Sequence, residues 1–356
     1  MAVLSALPRF FLAANTNEGY ISRFETAYSA ESGWRAFLLK GGITGAKSLL
    51  LKRLASALCE RGEAVELIAD VNDPKLACGV IDAAHSVAFF DADAPGYLTE
   101  KYPTVCERVV DFAALTDTQM LDRFAQRIKS GLQAANAAQT RAYSYIAAGA
   151  NLLTDARRLA AECVDFQKAE KFALALAQRL IPQGSGGGER IRYISGLTAY
   201  GWVYSRSTVT SLCEQVYTLC DEWGAVSPAV LQILRRVALE RGQRVICCLS
   251  PLYAEQRPEH ILLPDAKLAF VTANRYLEQL PCVRRYHARR FTDAAALRGH
   301  AQRMKFCKRA AEELLQSGTQ LLSSAAAERE QVRGCYDAAV QFDALTLLCD
   351  TLLKQM

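Results

Sequence analysis

The chain has 356 residues, of which 51% are hydrophobic and 22% are charged, and its formal net charge is +5. This length is enough for about two domains of roughly 150 residues each, and the apolar fraction excludes a globally disordered chain. The charge is too small by itself to indicate a nucleic-acid partner. No apolar run reaches the roughly 18 residues that a spanning helix needs, so we expect no membrane partner.

The cysteine usage predicts a cytoplasmic protein. The 12 cysteines are scattered without a Cys-x-x-Cys pair, and most lie in apolar runs, where a free thiol packs as a small hydrophobic group. The four histidines are dispersed and provide no metal-ligand spacing. We therefore expect free thiols in a reducing compartment and no structural metal site.

The first element that suggests chemistry is an apolar strand at Phe37–Lys40, followed by a glycine-rich turn and a helix at Lys47–Arg61. This order is typical of phosphate-binding loops, whose pattern is G-x-x-x-x-G-K-[ST]. In such loops the backbone amides and the lysine bind phosphates, and the hydroxyl binds Mg²⁺. We predict a loop for ATP with Mg²⁺, called here the glycine loop. Its residues are Gly41, Gly42, Ile43, Thr44, Gly45, Ala46, Lys47 and Ser48.

One position of the glycine loop departs from the pattern, because Ala46 stands where the last glycine belongs. If that position requires a positive φ, the added Cβ strains the loop by about 1–2 kcal/mol. A tenfold loss of affinity corresponds to about 1.4 kcal/mol. We therefore expect weak or absent hydrolysis, and whether the chain is an enzyme stays open.

A carboxylate beyond a second strand would complete a nucleotide site, because it orders Mg²⁺ or the attacking water. The apolar strand Val87–Phe90 leads into Asp91, which we predict as the catalytic residue and, with Ser48, as a Mg²⁺ ligand. Asp93 is the second choice, and Asp70 is the third. Aspartate is also common in turns after strands, which is the alternative for all three.

The later part of each half predicts helices. Residues 117–180 and 293–355 are rich in alanine and leucine and contain no proline, which favours helical hairpins. Between them lies a Gly/Ser-rich linker at residues 183–190, which divides the chain into a first half and a second half. Alternation of strands and helices before each helical region favours a mainly parallel sheet.

The two halves have similar sequences. Arg61-Gly62 matches Arg241-Gly242, and Thr116-Asp117 matches Thr292-Asp293; these and two further matches keep the same order at offsets of 176 to 181. We infer an internal duplication. In the second half, Asp221–Pro228 aligns with the glycine loop but has no lysine, so we predict that this copy binds no nucleotide and is structural.

A basic stripe lies near the end of the second α/β region, where four arginines surround His287: Arg284, Arg285, Arg289 and Arg290. It would suit either an anion-binding surface for phosphate or RNA, or an edge strand protected by charge. We favour the edge strand, because no glycine–aromatic RNA signature accompanies the stripe.

The glycine loop, the duplication and several local stretches resemble a family of clostridial tandem P-loop ATPase-like proteins of about this length. The stretches are Arg9–Gly19, Gly41–Ser48, Asp91–Pro95 and Lys101–Pro103. The resemblance implies two nucleoside-triphosphate-hydrolase-like domains, each followed by a helical region, and an ATP-binding role. In such relatives the loop tends to read Gly-Gly-Pro-Gly-Thr-Gly-Lys-Ser, whereas this chain has Ile-Thr-Gly-Ala at the middle four positions.

We therefore predict an α/β fold with two tandem P-loop NTPase-like three-layer units, mainly parallel sheets, and a helical hairpin region after each unit. The predicted boundaries are 1–116 for the first α/β domain, 117–182 for its hairpin, 183–190 for the linker, 191–291 for the second α/β domain and 292–356 for the last hairpin.

Three functions follow as hypotheses. The first is a cytoplasmic, ATP-binding P-loop ATPase-like protein. The second is a pseudo-ATPase scaffold that binds a protein partner and no nucleotide. The third is a nucleotide or polynucleotide kinase, for which no acceptor-site motif is visible.

Overall fold

The apolar runs of the chain form buried strands of two six-stranded sheets. This is a computed structural model that describes residues 7–28, 30–93, 96–273 and 280–356. Ala94 and Pro95 of the family-like stretch lie outside these ranges. The strands of the first half are β1 (Arg9–Phe10), β2 (Ala13–Thr16), β3 (Gly19–Ser22), β4 (Arg35–Lys40), β5 (Val65–Ala69), β6 (Ala77–Asp82), β7 (Val87–Asp91) and β8 (Glu107–Asp111). Those of the second half are β9 (Gly188–Arg192), β10 (Ser195–Thr198), β11 (Gly201–Tyr204), β12 (Gln215–Cys220), β13 (Arg244–Leu249), β14 (Pro258–Leu263), β15 (Leu268–Ala273) and β16 (Arg284–His287).

Helices connect the strands and extend from each sheet. They are α1 (Gly45–Glu60), α2 (Thr118–Glu162), α3 (Phe166–Leu180), α4 (Arg206–Leu212), α5 (Ser227–Glu240), α6 (Ala294–Gly299), α7 (Ala301–Ala339) and α8 (Ala344–Lys354). Short 3₁₀ turns lie at Phe24–Thr26, Ala30–Ser32, Phe112–Leu115 and Ala288–Phe291.

The two sheets have the same strand order. The first runs β1-β5-β6-β7-β4-β8 and the second β9-β13-β14-β15-β12-β16, so each strand has a counterpart at the same place. In each sheet one strand, β6 or β14, is antiparallel to its neighbours, and the other pairings are parallel. The predicted α/β class with mainly parallel sheets is confirmed, and the shared order is what two copies of one unit would have.

One face of the first sheet is covered by α1, whose leucines form an apolar face. Leu50, Leu51, Leu54 and Leu58 are all buried, because their helical spacing points them at the sheet. Burial of one such side chain contributes about 1.5–3 kcal/mol. This packing fixes α1, and with it the turn that precedes the helix, against the carboxyl end of β4.

The two long helices, α2 and α7, pack against each other and run antiparallel. Gly131 of α2 meets Val332 of α7, whereas Gly149, further along α2, meets Leu315, earlier in α7. A Cβ built on Gly131 would lie 2.7 Å from a methyl carbon of Val332, so the close approach of the helices requires a glycine there.

The short helices that follow exchange places between the halves. Helix α3 of the first half packs on α5 of the second, and α8 of the second half packs on α1 of the first. Two isolated bridges mark the crossings, since Thr116 pairs with Val340 and Val164 with Thr292.

This arrangement differs from the predicted hairpins at 117–182 and 292–356. Each long helix packs on its counterpart rather than folding back on the short helix after it. The linker also differs from the prediction, because its last residues, 188–190, already belong to β9.

Candidate functional site

The glycine loop connects β4 to α1 in the strand–turn–helix order that the sequence predicts. Gly41 and Gly42 have φ angles of 116° and 105°, and a Cβ on Gly42 would lie 2.3 Å from the ring of Tyr336. Both glycines are therefore required by backbone conformation and by space, since a Cβ on Gly41 would lie 2.6 Å from the backbone nitrogen of Ala113. Thr44 caps α1, since its side-chain oxygen accepts a hydrogen bond from the Ala46 amide at 3.1 Å.

The condition under which Ala46 would strain the loop, a positive φ, is not met. Ala46 lies in the first turn of α1, is fully buried, and is not among the described non-glycine residues with a positive φ. A helical position accepts a Cβ readily, so this alanine brings no penalty in backbone conformation.

Lys47, the predicted phosphate ligand, is bound to carboxylates. Its side chain is 0% exposed, and its ammonium lies 3.0 Å from Asp91 Oδ1 and in direct contact with Asp93 Oδ2. The pairing of β4 with β7 explains this geometry, because Leu39 lies opposite Asp91 and so brings both aspartates beside the loop. The structure therefore brings together Lys47, Asp91 and Asp93, the first and second choices for the acidic residue.

Asp93 also accepts hydrogen bonds from the loop backbone. Its Oδ2 receives the amides of Gly41 at 3.0 Å and Gly42 at 2.8 Å. Together with the contact from Lys47, this one carboxylate oxygen binds three donors that a phosphate would use in a phosphate-binding loop.

A second carboxylate reaches the loop from the other half of the chain. Asp337, on α7, accepts hydrogen bonds from the Gly45 amide at 2.7 Å and from the Thr44 hydroxyl. Sequence reasoning missed Asp337, because it lies on a long helix far away along the chain and has no local signal. Only the packing of α7 against the first half places it here.

Ser48, the predicted Mg²⁺ ligand, makes a hydrogen bond to the first sheet. Its Oγ accepts a hydrogen bond from the Ala77 amide at 2.9 Å, at the start of β6. Among the described residues, three metal-ligating side chains come within 4.8 Å of one another only at Glu63, Asp82 and His85, in the turn region around β6 and β7. That group includes neither predicted Mg²⁺ ligand, so the metal role of Ser48 and Asp91 stays a prediction.

The surroundings of the loop are acidic. Burial raises the pKa of Asp70, the third choice, to about 6, although the Asn72 amide donates a hydrogen bond to it. Burial also raises the pKa of Asp91, and Lys47 opposes that shift. Burial thus disfavours the ionised form of both carboxyl groups.

The corresponding turn of the second half is also bound by a carboxylate. Asp221, directly after β12, accepts hydrogen bonds from the Val226 amide at 2.8 Å and the Ser227 amide at 2.7 Å. These amides belong to the start of α5, where a phosphate-binding loop would hold its ligand. The arginine-rich segment includes β16, which is an edge strand of the second sheet, as predicted.

Comparison with family models, with curated proteins and with solved structures finds no match for this chain. In the part of the chain that the structure describes, no helix is both long and apolar enough to cross a membrane.

Proposed function

We propose that this chain is a pseudo-ATPase scaffold whose glycine loop is occupied by the protein's own carboxylates. The observation that carries the proposal is the position of Asp93, whose Oδ2 is bound at once by two loop amides and by Lys47. Asp337 occupies the next pair of donors in the same way. The second hypothesis from the sequence is thus the one that the geometry supports best.

Charge supports the proposal as well. A nucleoside triphosphate is strongly anionic, yet Asp91, Asp93 and Asp337 all contact the loop or its lysine. A ligand would have to displace Asp93 and Asp337 from hydrogen bonds that are worth about 1.5–3 kcal/mol each when one partner is charged. Because about 1.4 kcal/mol corresponds to a tenfold change in affinity, this displacement weakens binding by at least about two orders of magnitude.

Nucleotide binding is the second candidate, and one observation favours it. The positive φ angles of Gly41 and Gly42 and the amides that point at one acceptor are the features of an anion-binding loop. An open form of the loop, with both carboxylates withdrawn, would present these groups and Lys47 to a phosphate. The kinase hypothesis remains a prediction.

The scaffold and the nucleotide-binding candidates differ in whether Mg-ATP binds before or only after the two carboxylates are removed. Calorimetry with Mg-ATP should detect no binding to the wild type at about 1 mM ligand, a concentration at which even weak sites are filled. The double variant Asp93→Ala/Asp337→Ala should bind, because its loop donors are vacant, and adding Lys47→Ala should abolish that binding. Asp122→Ala, which removes an exposed carboxylate on α2, is the control for charge alone.

Micromolar binding of Mg-ATP to the wild type, lost in Lys47→Ala, would refute the scaffold proposal and establish a nucleotide site. If the double variant remains folded by circular dichroism but does not bind Mg-ATP, then the two carboxylates are not what prevents binding. The proposed mechanism of occlusion would then be wrong.

A further inference from the structure

A pocket opens at the carboxyl ends of the strands of the second sheet, and we call it the second-half pocket. Its lining includes Ser250 after β13, Thr272 of β15, and Ser227 in the first turn of α5. Helix α2 of the first half contributes Arg157. Open α/β sheets bind ligands in crevices outside the carboxyl ends of their strands, so the pocket has the position of a ligand site.

Aromatic side chains form much of its wall. Trp202 of β11, Trp223 in the turn before α5, and Tyr253 after β13 all line the pocket. Aromatic faces and edges bind planar apolar groups well, and they do so at a low cost in side-chain entropy. The walls therefore suit a flat ligand.

One arginine of the pocket is buried with an unpaired donor. Arg257 is only 8% exposed, and its guanidinium lies over the Tyr253 ring at 4.1 Å. Its Nη2 donates to Glu255 at 2.9 Å, but that glutamate is 68% exposed, and Nε has no hydrogen-bond partner among the described residues. A buried donor without a partner costs about 1–3 kcal/mol, and more when it is charged, so such groups are normally satisfied.

A second arginine in the same pocket, Arg157, also has an unpaired donor. Arg157 Nε is buried and, within the described ranges, has no hydrogen-bond partner either. Burial and the neighbouring positive charge of Arg257 both lower the pKa of Arg157. Two guanidinium groups that repel each other across one pocket, each with an unused donor, are the arrangement that an anion would satisfy.

The acidic residues of the pocket are already engaged. Glu222 pairs with Lys308 at 2.6 Å, and Lys308 lies over the Trp223 ring at 5.3 Å. Glu259 accepts a hydrogen bond from the Ser195 hydroxyl at 3.3 Å. Among the described residues no carboxylate lies at hydrogen-bond distance from Arg157, and Glu255, which pairs with Arg257, acts on it only from further away.

We propose that the second-half pocket binds an organic anion, namely an aromatic ring that carries a carboxylate or a phosphate group. The anionic group is held by Arg157 and Arg257, and the ring packs on the aromatic walls. This site is separate from the glycine loop, so the proposal does not depend on whether that loop binds nucleotide.

The chain offers a direct optical test, because two of its three tryptophans line the pocket. The third, Trp34, lies just before β4 in the first half. In a Trp34→Phe background the tryptophan fluorescence therefore reports on the pocket alone. Benzoate and phenyl phosphate are the anionic probes, and neutral benzamide is their matched control. We expect saturable changes with a Kd of about 1 mM or tighter for an anionic probe, and binding of benzamide that is about tenfold weaker or more.

Variants in the same background locate the anion. Arg157→Met and Arg257→Met should each weaken the anionic probe by about tenfold or more, because a charged hydrogen bond is lost. Arg158→Met removes the neighbouring arginine, which is exposed and pairs with Asp155, and should leave the affinity unchanged. In the absence of probe, Arg157→Met should melt at the same temperature as its parent or about 1–3 °C higher, because a half-buried charge with an unpaired Nε has been removed.

The comparison of benzoate with phenyl phosphate decides which head group the site prefers. The proposal is overturned if neither anion binds, if benzamide binds as well as they do, or if Arg158→Met weakens binding as much as Arg157→Met. A lower melting temperature for Arg157→Met would also overturn it, since the guanidinium would then stabilise the fold by itself.

Discussion

Replacing Lys47 by methionine distinguishes a glycine loop occupied by carboxylates from an open loop. The two cases predict opposite changes in the free energy of unfolding. In an open phosphate-binding loop the lysine faces solvent, and its removal in the absence of ligand is neutral or stabilising. Here the ammonium is fully buried between Asp91 and Asp93. Lys47→Met would leave these two carboxylates without their counter-charge, so we expect the variant to be destabilised.

The magnitude follows from the burial of the three groups. Removing one partner of a buried ion pair typically costs about 3–5 kcal/mol. The Asp91 and Asp93 side chains are 29% and 23% exposed, so water compensates part of the loss, and Asp93 keeps its bonds to the loop amides. We therefore expect a loss of about 2–3 kcal/mol in the free energy of unfolding near neutral pH.

The loss should depend on pH in a defined direction. Burial already raises the pKa of Asp91, and without Lys47 it rises further. A carboxyl group whose pKa is higher in the folded state destabilises that state as the pH increases through the pKa. The destabilisation by Lys47→Met should thus be largest at neutral pH and should shrink as the pH falls through the raised pKa of Asp91.

Urea unfolding followed by circular dichroism at neutral and at acidic pH measures this effect. Lys52→Met is the matched control, because Lys52 lies on the same helix and, within the described ranges, its ammonium donates a hydrogen bond only to the Lys75 carbonyl, at 2.9 Å. Asp93→Asn in the Lys47→Met background should restore part of the stability by removing one of the two uncompensated charges. A Lys47→Met protein as stable as the wild type at neutral pH would refute the view that carboxylates hold the loop.

Two further changes test the surroundings of the loop and the packing of the halves. Asp70→Asn should raise the free energy of unfolding by about 3 kcal/mol above pH 7, because the wild-type pKa is raised from 3.8 to about 6 and ionisation destabilises the fold. The gain should vanish as the pH falls toward about 4, and a gain that is independent of pH in a urea titration would contradict this origin. Gly131→Ala should destabilise the protein by about 1–3 kcal/mol, because its Cβ would meet Val332 at 2.7 Å. Gly334→Ala, on α7 with no atom within 4 Å of the added Cβ, should be neutral or slightly stabilising in thermal unfolding, and equal losses for both alanines would argue against close helix packing.

Local patterns were sufficient for the elements around the loop. The predicted strand at Phe37–Lys40 lies within β4, and α1 buries the leucine face that its helical spacing indicates. Asp91 ends β7 and lies beside the loop because parallel strands bring their carboxyl ends to one edge. These features depend on periodicity and on chain order, which a single sequence contains.

Features that depend on contacts between distant segments could not be predicted from local sequence patterns. Strand β6 is antiparallel and lies between β5 and β7, and its apolar residues carry no sign of direction. The exchange of α3 and α8 between the halves has no local signal, because an amphipathic helix packs equally well on either sheet. Asp337 belongs to the same class, since its role at the loop exists only through the packing of α7.

The position of each long helix beside the sheet of the other half explains how two copies with one topology can have different sites. Each sheet edge is completed by the long helix of the other half: α7 supplies Asp337 to the glycine loop, and α2 supplies Arg157 to the second-half pocket. The offset of 176 between Thr116 and Thr292 places Ala161 at the position equivalent to Asp337, since 337 − 176 = 161. A carboxylate thus reaches one edge, while alanine at the same place cannot reach the other. Differences on this helix face therefore contribute to the contrast between the two sites, together with the carboxylates that each half supplies from its own strand ends, Asp93 and Asp221.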